Sequence, residues 1–411
     1  MDVYIALRKV LNYNALFVKC RCVGEFGFMD YNKKNILHVV NIYFVIPYFI
    51  GGQFRYFRQK GYNLHVVCSP SCYLKDYAKE QNFDYREIPV LRSIAPLQDI
   101  KSIIHICRYI KEKDIGIVVG HTPKGGLLAM LAGWLMRVPQ RIYFRHGLVY
   151  QTAKGLKRFI LITVDRIASR LATKIVCVSP SVLQHSIEDR LAPARKQLIL
   201  GKGTCSGIDT QGKFNPANIN ARKLSEMKRQ WGIAESDWVI GYTGRLVRDK
   251  GIIELVEAFR ILKEYDPRFK LLLVGMFEIR DALPEDVQQD IRNDPQIVWT
   301  DFQNVDMEYF YSMMNVYVLA SYREGFPTGV LEAQSMEVPV VTTRVTGCCD
   351  SIQEGVTGLF VQHNARELAA CVFKIRDGKT EISGAQARAW VVDNFDNLKV
   401  WREIEKLFED K

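Results

Sequence analysis

Short β-branched apolar runs, each followed by a helical or polar segment, constrain this chain more than any other feature. From Asn35 onward ILHVVNIY (36–43), LHVVCS (64–69), YREIPV (85–90), IGIVVG (115–120), RIYFRHG (141–147) and KIVCVS (174–179) read as strands. Runs this uniformly apolar suit strands buried on both faces, which is the environment of a parallel sheet covered by helices. Between them, Gly51-Gly52 precedes a segment rich in Phe and Arg, 97–113 is amphipathic, and Thr122-Pro123 opens a helix expected to reach about 137. Around 207–220 the pattern gives way to polar sequence, which reads as a linker. The alternation then resumes. DWVIGYTGR (237–245), FKLLLVG (269–275), IVWT, VYVLAS (316–321), VPVVTT and GLFV are strands, with helices expected over 251–264 and 308–314. A last helix over 398–410 carries an apolar stripe at Val400, Ile404 and Phe408. The fold class is therefore α/β, with two doubly wound, Rossmann-like domains. A chain of 411 residues is too long for one ordinary core, which agrees.

Composition narrows the partners. The formal net charge of +11 favours an acidic partner: nucleic acid, an anionic membrane surface or a phosphorylated substrate. No apolar run has the roughly 18–20 residues of a membrane span, and Ile36 to Ile50 is broken by His38, Asn41 and Pro47. Cys20 with Cys22 and Cys348 with Cys349 lack zinc-site spacing, and Cys68 with Cys72 has no second pair. Ten cysteines in this setting read as thiols of a reducing cytoplasm. Residues 1–28 show neither a cleavable signal pattern nor clear periodicity, and read as an extension lying before the fold, with Met29 the functional start.

Two stretches carry chemistry. In SYREGFPTGVLE (321–332), the apolar run before it is a strand and Gly325-Phe326-Pro327 a tight loop. Pro327 fits only the first turn of a helix, so a helix should begin near Thr328. Free N–H groups at such a helix start favour an anion such as a diphosphate. Glu324 on the loop and Glu332 about one turn inside the helix can accept hydrogen bonds from sugar hydroxyls. Solvated glutamates on a capped turn are the plain alternative. In GRLVRDKG (244–251), Arg245 and Lys250 flank another helix start, where two cations neutralise a leaving pyrophosphate without a metal. No Asp-x-Asp occurs, in keeping with metal independence, and nothing suggests a redox cofactor. From Lys154 to Lys174, cations at 154, 158, 166, 170 and 174 run beside Leu156, Ile160, Ile167 and Leu171. Such a helix suits an anionic membrane surface, or else packs on the sheet with a solvated basic edge.

With the trailing EGVTGLFV (354–361), these motifs resemble, in order and spacing, the retaining glycosyltransferases of family 4. The resemblance spans Asn35 to the C-terminus and implies the GT-B fold, two Rossmann-like domains facing a central cleft. It divides the chain into an extension (1–34), an acceptor domain (35–210), a nucleotide-sugar domain (211–390) and a C-terminal helix (391–411) that packs back on the first domain. Carried over by position, Arg245 and Lys250 hold the donor diphosphate and Glu324 contacts the transferred sugar. The amides of Gly325, Phe326, Pro327 and Thr328 form the surrounding loop, and Glu332 grips the ribose. Val305 falls where the family seats the base, and Gly51-Gly52 on its glycine loop, where a missing Cβ lets backbone approach phosphate. His121, in HTPKGG, matches the family's histidine near the reacting centre. His146, in RHG, is similarly placed, whereas His38, His65 and His105 read as core or surface.

The mechanism so implied retains anomeric configuration without a covalent enzyme intermediate, the leaving diphosphate taking the acceptor proton. HTPKGG and RHGLVY also resemble segments of bacterial enzymes building lipid-linked capsule, O-antigen or N-glycan precursors. The expected reaction moves a sugar from a nucleotide-sugar, UDP-linked by preference, to a polyprenyl-diphosphate saccharide on the inner face of the cytoplasmic membrane. Two alternatives stay open: a nucleotide-sugar epimerase of the same fold, and a basic nucleic-acid-binding protein. The latter has only net charge in its favour.

Overall fold

A computed structural model describes residues 31–93 and 95–410, so the reading of residues 1–28 lies outside the described residues. Strands β1 (Asn32–Val39), β2 (Asn63–Cys68), β3 (Asp84–Glu87), β4 (Ile115–His121), β5 (Gln140–Arg145), β6 (Lys174–Cys177) and β7 (Gln197–Leu198) form a seven-stranded sheet, in the order β3-β2-β1-β4-β5-β6-β7. A second, six-stranded sheet holds β8 (Trp238–Thr243), β9 (Phe269–Val274), β10 (Ile297–Trp299), β11 (Val316–Leu319), β12 (Val340–Thr343) and β13 (Gly358–Val361), in the order β10-β9-β8-β11-β12-β13. The pairs β1–β2, β4–β5, β8–β9 and β11–β12 are all parallel. Both sheets are doubly wound.

The strand order reverses between β1 and β4 in the first sheet and between β8 and β11 in the second. Loops leaving the carboxyl ends of such a pair diverge to opposite faces and open a crevice, which is where doubly wound sheets bind ligands. In the first lobe these ends carry His38 and His121, and in the second Gly244 to Lys250 and Ser321 to Glu324.

Each lobe has its own apolar core. The second is built from β8, β9, β11 and β12 with the helices around them. The first combines β1, β2, β4 and β5 with the C-terminal helix Asn397–Glu409, whose Val400, Trp401, Ile404, Leu407 and Phe408 are all buried. That helix recrosses to the first lobe where Ile208 N–H donates to the Phe395 carbonyl (2.8 Å) and Asn397 N–H to that of Ile208 (2.9 Å). Phe326 is packed against both cores.

Several boundaries differ from the sequence pattern. β1 starts at Asn32 rather than Ile36, and Asn32, Lys33 and Lys34 at its start are exposed. The chain also turns earlier, so Val45–Phe49 is helical and 40–44 is not strand. YREIPV ends as strand at Glu87, since Pro89 has no N–H to donate. Helices such as Ala221–Gln230 and Glu285–Asn293, and the two-residue β7, lie in stretches that the apolar runs of the sequence do not mark.

Candidate active site

The loop after β8 is shaped by glycine. Gly251 has φ +70°, a left-handed conformation, and a Cβ there would collide with the Ala320 carbonyl at the end of β11. Only at glycine can the helix Ile252–Tyr265 start so close to the neighbouring strand end, and this brings Lys250 to the loop after β11. There the Lys250 ammonium pairs with Glu324, with side chains 18% and 12% exposed. Arg323 completes the crossing by pairing with Asp249 at 2.7 Å.

The helix Thr328–Ser335 follows, with Pro327 as its N-cap. Gly329 lies over the hydroxyls of Tyr317 and Tyr311, where a Cβ would come within 2.5 Å of the former. The Tyr311 hydroxyl donates to Glu332 (2.6 Å) and is 2.8 Å from the Thr243 hydroxyl. Burial raises the Glu332 carboxyl above its ordinary range, against the opposing effect of that donated hydrogen bond. Across the lobes, Tyr48 is pushed up to about 12, by burial first and by the Glu332 charge second.

Arg245 pairs with Glu278, whose other oxygen accepts from Arg92 of the first lobe at 3.0 Å. Although burial acts to raise it, these two guanidinium groups hold the Glu278 carboxyl below its ordinary range. Neither Glu278 nor Arg92 was singled out from sequence. They sit on loops of different lobes, and no spacing rule links them.

On the first lobe, His121 is aligned with Phe144 in the β4–β5 ladder, and His146 lies two residues further along, on the same face by the strand's period of two. His121 Nδ1 and His146 Nε2 are 2.9 Å apart, and His38 Nδ1 lies 3.0 Å from His121 Nε2. His121 is only 2% exposed. His146 is the ring nearer the seam, stacked on Phe49 with centroids 3.7 Å apart. Its backbone closes the gap between lobes: a Cβ on Gly325 would collide with the His146 carbonyl, and one on Gly147 would stand 3.3 Å from Gly325 Cα.

Lys250, Glu324, Gly325 and His146 are thus brought together, with His121 behind His146, while Arg245 is paired with Glu278. Phe326 packs on Phe395 at a tilt, with ring centroids 5.2 Å apart. Val305 is 65% exposed on the loop after β10, where the neighbouring Phe302 packs edge-on against Phe44 of the first lobe at 5.3 Å. Gly51 and Gly52 take no part in this cluster: their close contacts run to Pro47 and to the Trp401 ring, so protein fills the space a Cβ would need. Among the described residues, no group of three or more His, Cys, Asp or Glu side chains is arranged to hold a metal ion.

Comparison with known proteins bears on this arrangement. Residues 225–382 match the model of glycosyl transferases group 1, and residues 35–179 that of the glycosyl transferase 4-like family. The capsular polysaccharide biosynthesis glycosyltransferase CapM of Staphylococcus aureus is 34% identical over 380 residues, 92% of this chain and 97% of that protein. The UDP-Gal:alpha-D-GlcNAc-diphosphoundecaprenol alpha-1,3-galactosyltransferase of Escherichia coli is 23% identical, covering 87% of this chain and 92% of that protein. Among solved structures, Anabaena HepE in complex with UDP and glucose superposes with a TM-score of 0.74 at 18% identity, over 92% of this chain and 100% of its own, a likeness of fold. Two doubly wound lobes that meet where Gly325, next to the Lys250–Glu324 pair, faces the His146 carbonyl, together with these matches along both halves, make this chain a member of the group 1, 4-like glycosyltransferase family with the GT-B fold.

Proposed function

We propose that the enzyme moves a sugar from a nucleotide-sugar, with UDP as the expected nucleotide, to a polyprenyl-diphosphate-linked saccharide, with retention of configuration and without a metal. The observation that carries this reading is the Lys250–Glu324 pair lodged against Gly325, opposite His146. Lys250 and Arg245 take the departing diphosphate, helped by amides at the start of the Thr328–Ser335 helix. The donor displaces Glu278 from Arg245 and offers sugar hydroxyls to Glu324. Glu332 accepts from the ribose, and Val305 lies beside the base. No carboxylate stands opposite as a nucleophile among the residues gathered here. The leaving oxygen therefore accepts the acceptor's proton on the face from which it departs, while His121, acting through His146, orients the acceptor hydroxyl.

The named activities of the relatives support a lipid-linked acceptor in surface-polysaccharide assembly. No described helix is long and apolar enough to cross a membrane. Support for a peripheral site comes from the helix Gly155–Leu171, whose first turns expose Leu156 (74%) and Phe159 (66%) beside Lys157 and Arg158. Its fully buried residues are Asp165, Ala168 and Ser169, and Arg145 donates to Asp165 and Ser169. A screen of UDP- and GDP-sugars against a lipid-diphosphate monosaccharide, with EDTA present, tests the whole reading. NMR of the product should report the donor's anomeric configuration. Inverted product, or conversion of the donor alone into an epimer, would overturn it.

A further inference from the structure

Three imidazoles from the carboxyl ends of three neighbouring strands form a line from the core of the first lobe to its seam with the second. His38, 3% exposed, touches His121, and His121 touches His146, at N···N separations of 3.0 and 2.9 Å. Successive rings are near parallel, with centroids 5.3 and 5.2 Å apart and interplanar angles of 21° and 30°. Phe144 flanks His121 at 5.2 Å and Phe49 covers His146 at 3.7 Å, so the line is sheathed in apolar rings. Both nitrogens of His121 are used, one toward each neighbour. No point is shared by all three rings, so this is a hydrogen-bonded chain and not a metal site.

Burial pushes His38 and His146 down to about 3 and His121 well below its ordinary value, with the neighbouring histidines adding to the effect on His121. Each ring is then neutral near pH 7 and carries one proton. Each N···N bond consumes one of the three protons and the third sits at an end, which leaves two arrangements. In one, His38 Nδ1–H donates to His121, His121 Nδ1–H donates to His146, and His146 carries its remaining proton on Nδ1. In the other, His146 Nε2–H donates to His121, His121 Nε2–H donates to His38, and the spare proton sits on His38 Nε2, leaving His146 Nδ1 as a bare acceptor. The three tautomers are locked together.

We infer that His38 is a positioning residue for sugar transfer: through His121 it sets which nitrogen of His146 carries the proton at the seam. This rests on the functional reading of the site given above. His38 touches no substrate; its part is to keep His146 in one tautomer and one orientation, as buried partners do for catalytic and metal-bound imidazoles.

Asparagine and glutamine separate the chain from mere packing at position 38. The amide of Asn reaches the place of Nδ1, where His121 is met, and that of Gln reaches the place of Nε2. His38→Phe should lower kcat by about 10- to 100-fold with donor KM within about twofold, and His38→Asn should recover most of the loss. In 15N spectra of the full-length protein, His146 should show one tautomer in the wild type and in His38→Asn, and a mixture in His38→Phe. If His38→Phe does not fold, His38→Gln, which lacks a group at Nδ1, carries the same comparison. Unchanged His146 nitrogen shifts in His38→Phe or His38→Gln would overturn the coupling. Shifted tautomers with undiminished turnover would overturn its role in transfer. Wild-type protein that processes no nucleotide-sugar would sink the functional reading instead, while the nitrogen shifts still decide whether the three rings act as one.

Discussion

Lys250 and Glu324 are each largely withdrawn from water and compensated by the other. Removing either leaves a part-buried charge without its partner, and removes a group aimed at the transferred sugar and its leaving phosphates. Lys250→Ala or Glu324→Ala should lower kcat by about 100-fold or more while circular dichroism shows the fold retained. Full activity in either would take that residue out of the mechanism. The histidine chain makes a separate prediction about pH. His38 and His146 have folded-state values of about 3, below the 6.5 of an unfolded chain. Between these values the unfolded state binds more protons, so stability is fully present above about pH 6.5 and is lost as pH falls toward 3. The slope is at most about 1.4 kcal/mol per pH unit for each such histidine. Urea midpoints from pH 4 to 8 should show it, and His38→Asn should make it shallower.

At the scale of elements, the loops that meet at the seam are fitted backbone to backbone. Gly325 faces the His146 carbonyl, and a Cβ on Gly347 would come within 2.5 Å of the Gly325 carbonyl. These neighbours are main-chain atoms, which no rotamer change can move aside. Gly325→Ala should therefore spread the loops and cost about 100-fold in kcat/KM, since a misplacement near 1 Å is enough for that. The lobe cores are untouched by the change, so the melting temperature should fall by only a few degrees. A second prediction concerns the helix Gly155–Leu171, which keeps Leu156 and Phe159 in solvent. Leu156→Ser with Phe159→Ser should reduce flotation with anionic vesicles and change stability by no more than about 0.5 kcal/mol per site. Wild-type binding should weaken with added salt, because part of it is electrostatic. Equal flotation with zwitterionic vesicles would count against the anionic surface as partner.

Across the whole molecule, two of the links between the lobes differ in kind. The C-terminal helix gives its apolar face to the first lobe's core, a permanent attachment. Glu278, by contrast, bridges Arg245 and Arg92 on half-exposed side chains, which makes a weak and replaceable one. An exposed ion pair is worth about 0.2–1 kcal/mol. A donor diphosphate that reaches Arg245 must displace this carboxylate, so Glu278→Gln should tighten donor binding by about two- to fivefold, read by calorimetry with UDP. Weaker binding would mean that Glu278 assists the donor instead of standing in its place.

The sequence by itself determined the two doubly wound sheets, because strands buried on both faces must be apolar throughout and stand out as short apolar runs between helical or polar segments. It also determined the strand–loop–helix around Glu324, because Pro327 and the glycines permit little else. Element ends were less legible where a strand continues through exposed residues, as at Asn32, and where helices such as Ala221–Gln230 lack a buried residue. Only the tertiary structure decided that His38, which reads as an ordinary strand residue, lines up with His121 and His146, and that Arg92 and Arg245 share Glu278. Such contacts join residues far apart in the chain, and their geometry is set by sheet register and by the approach of the two lobes, quantities to which no local pattern of residues is sensitive.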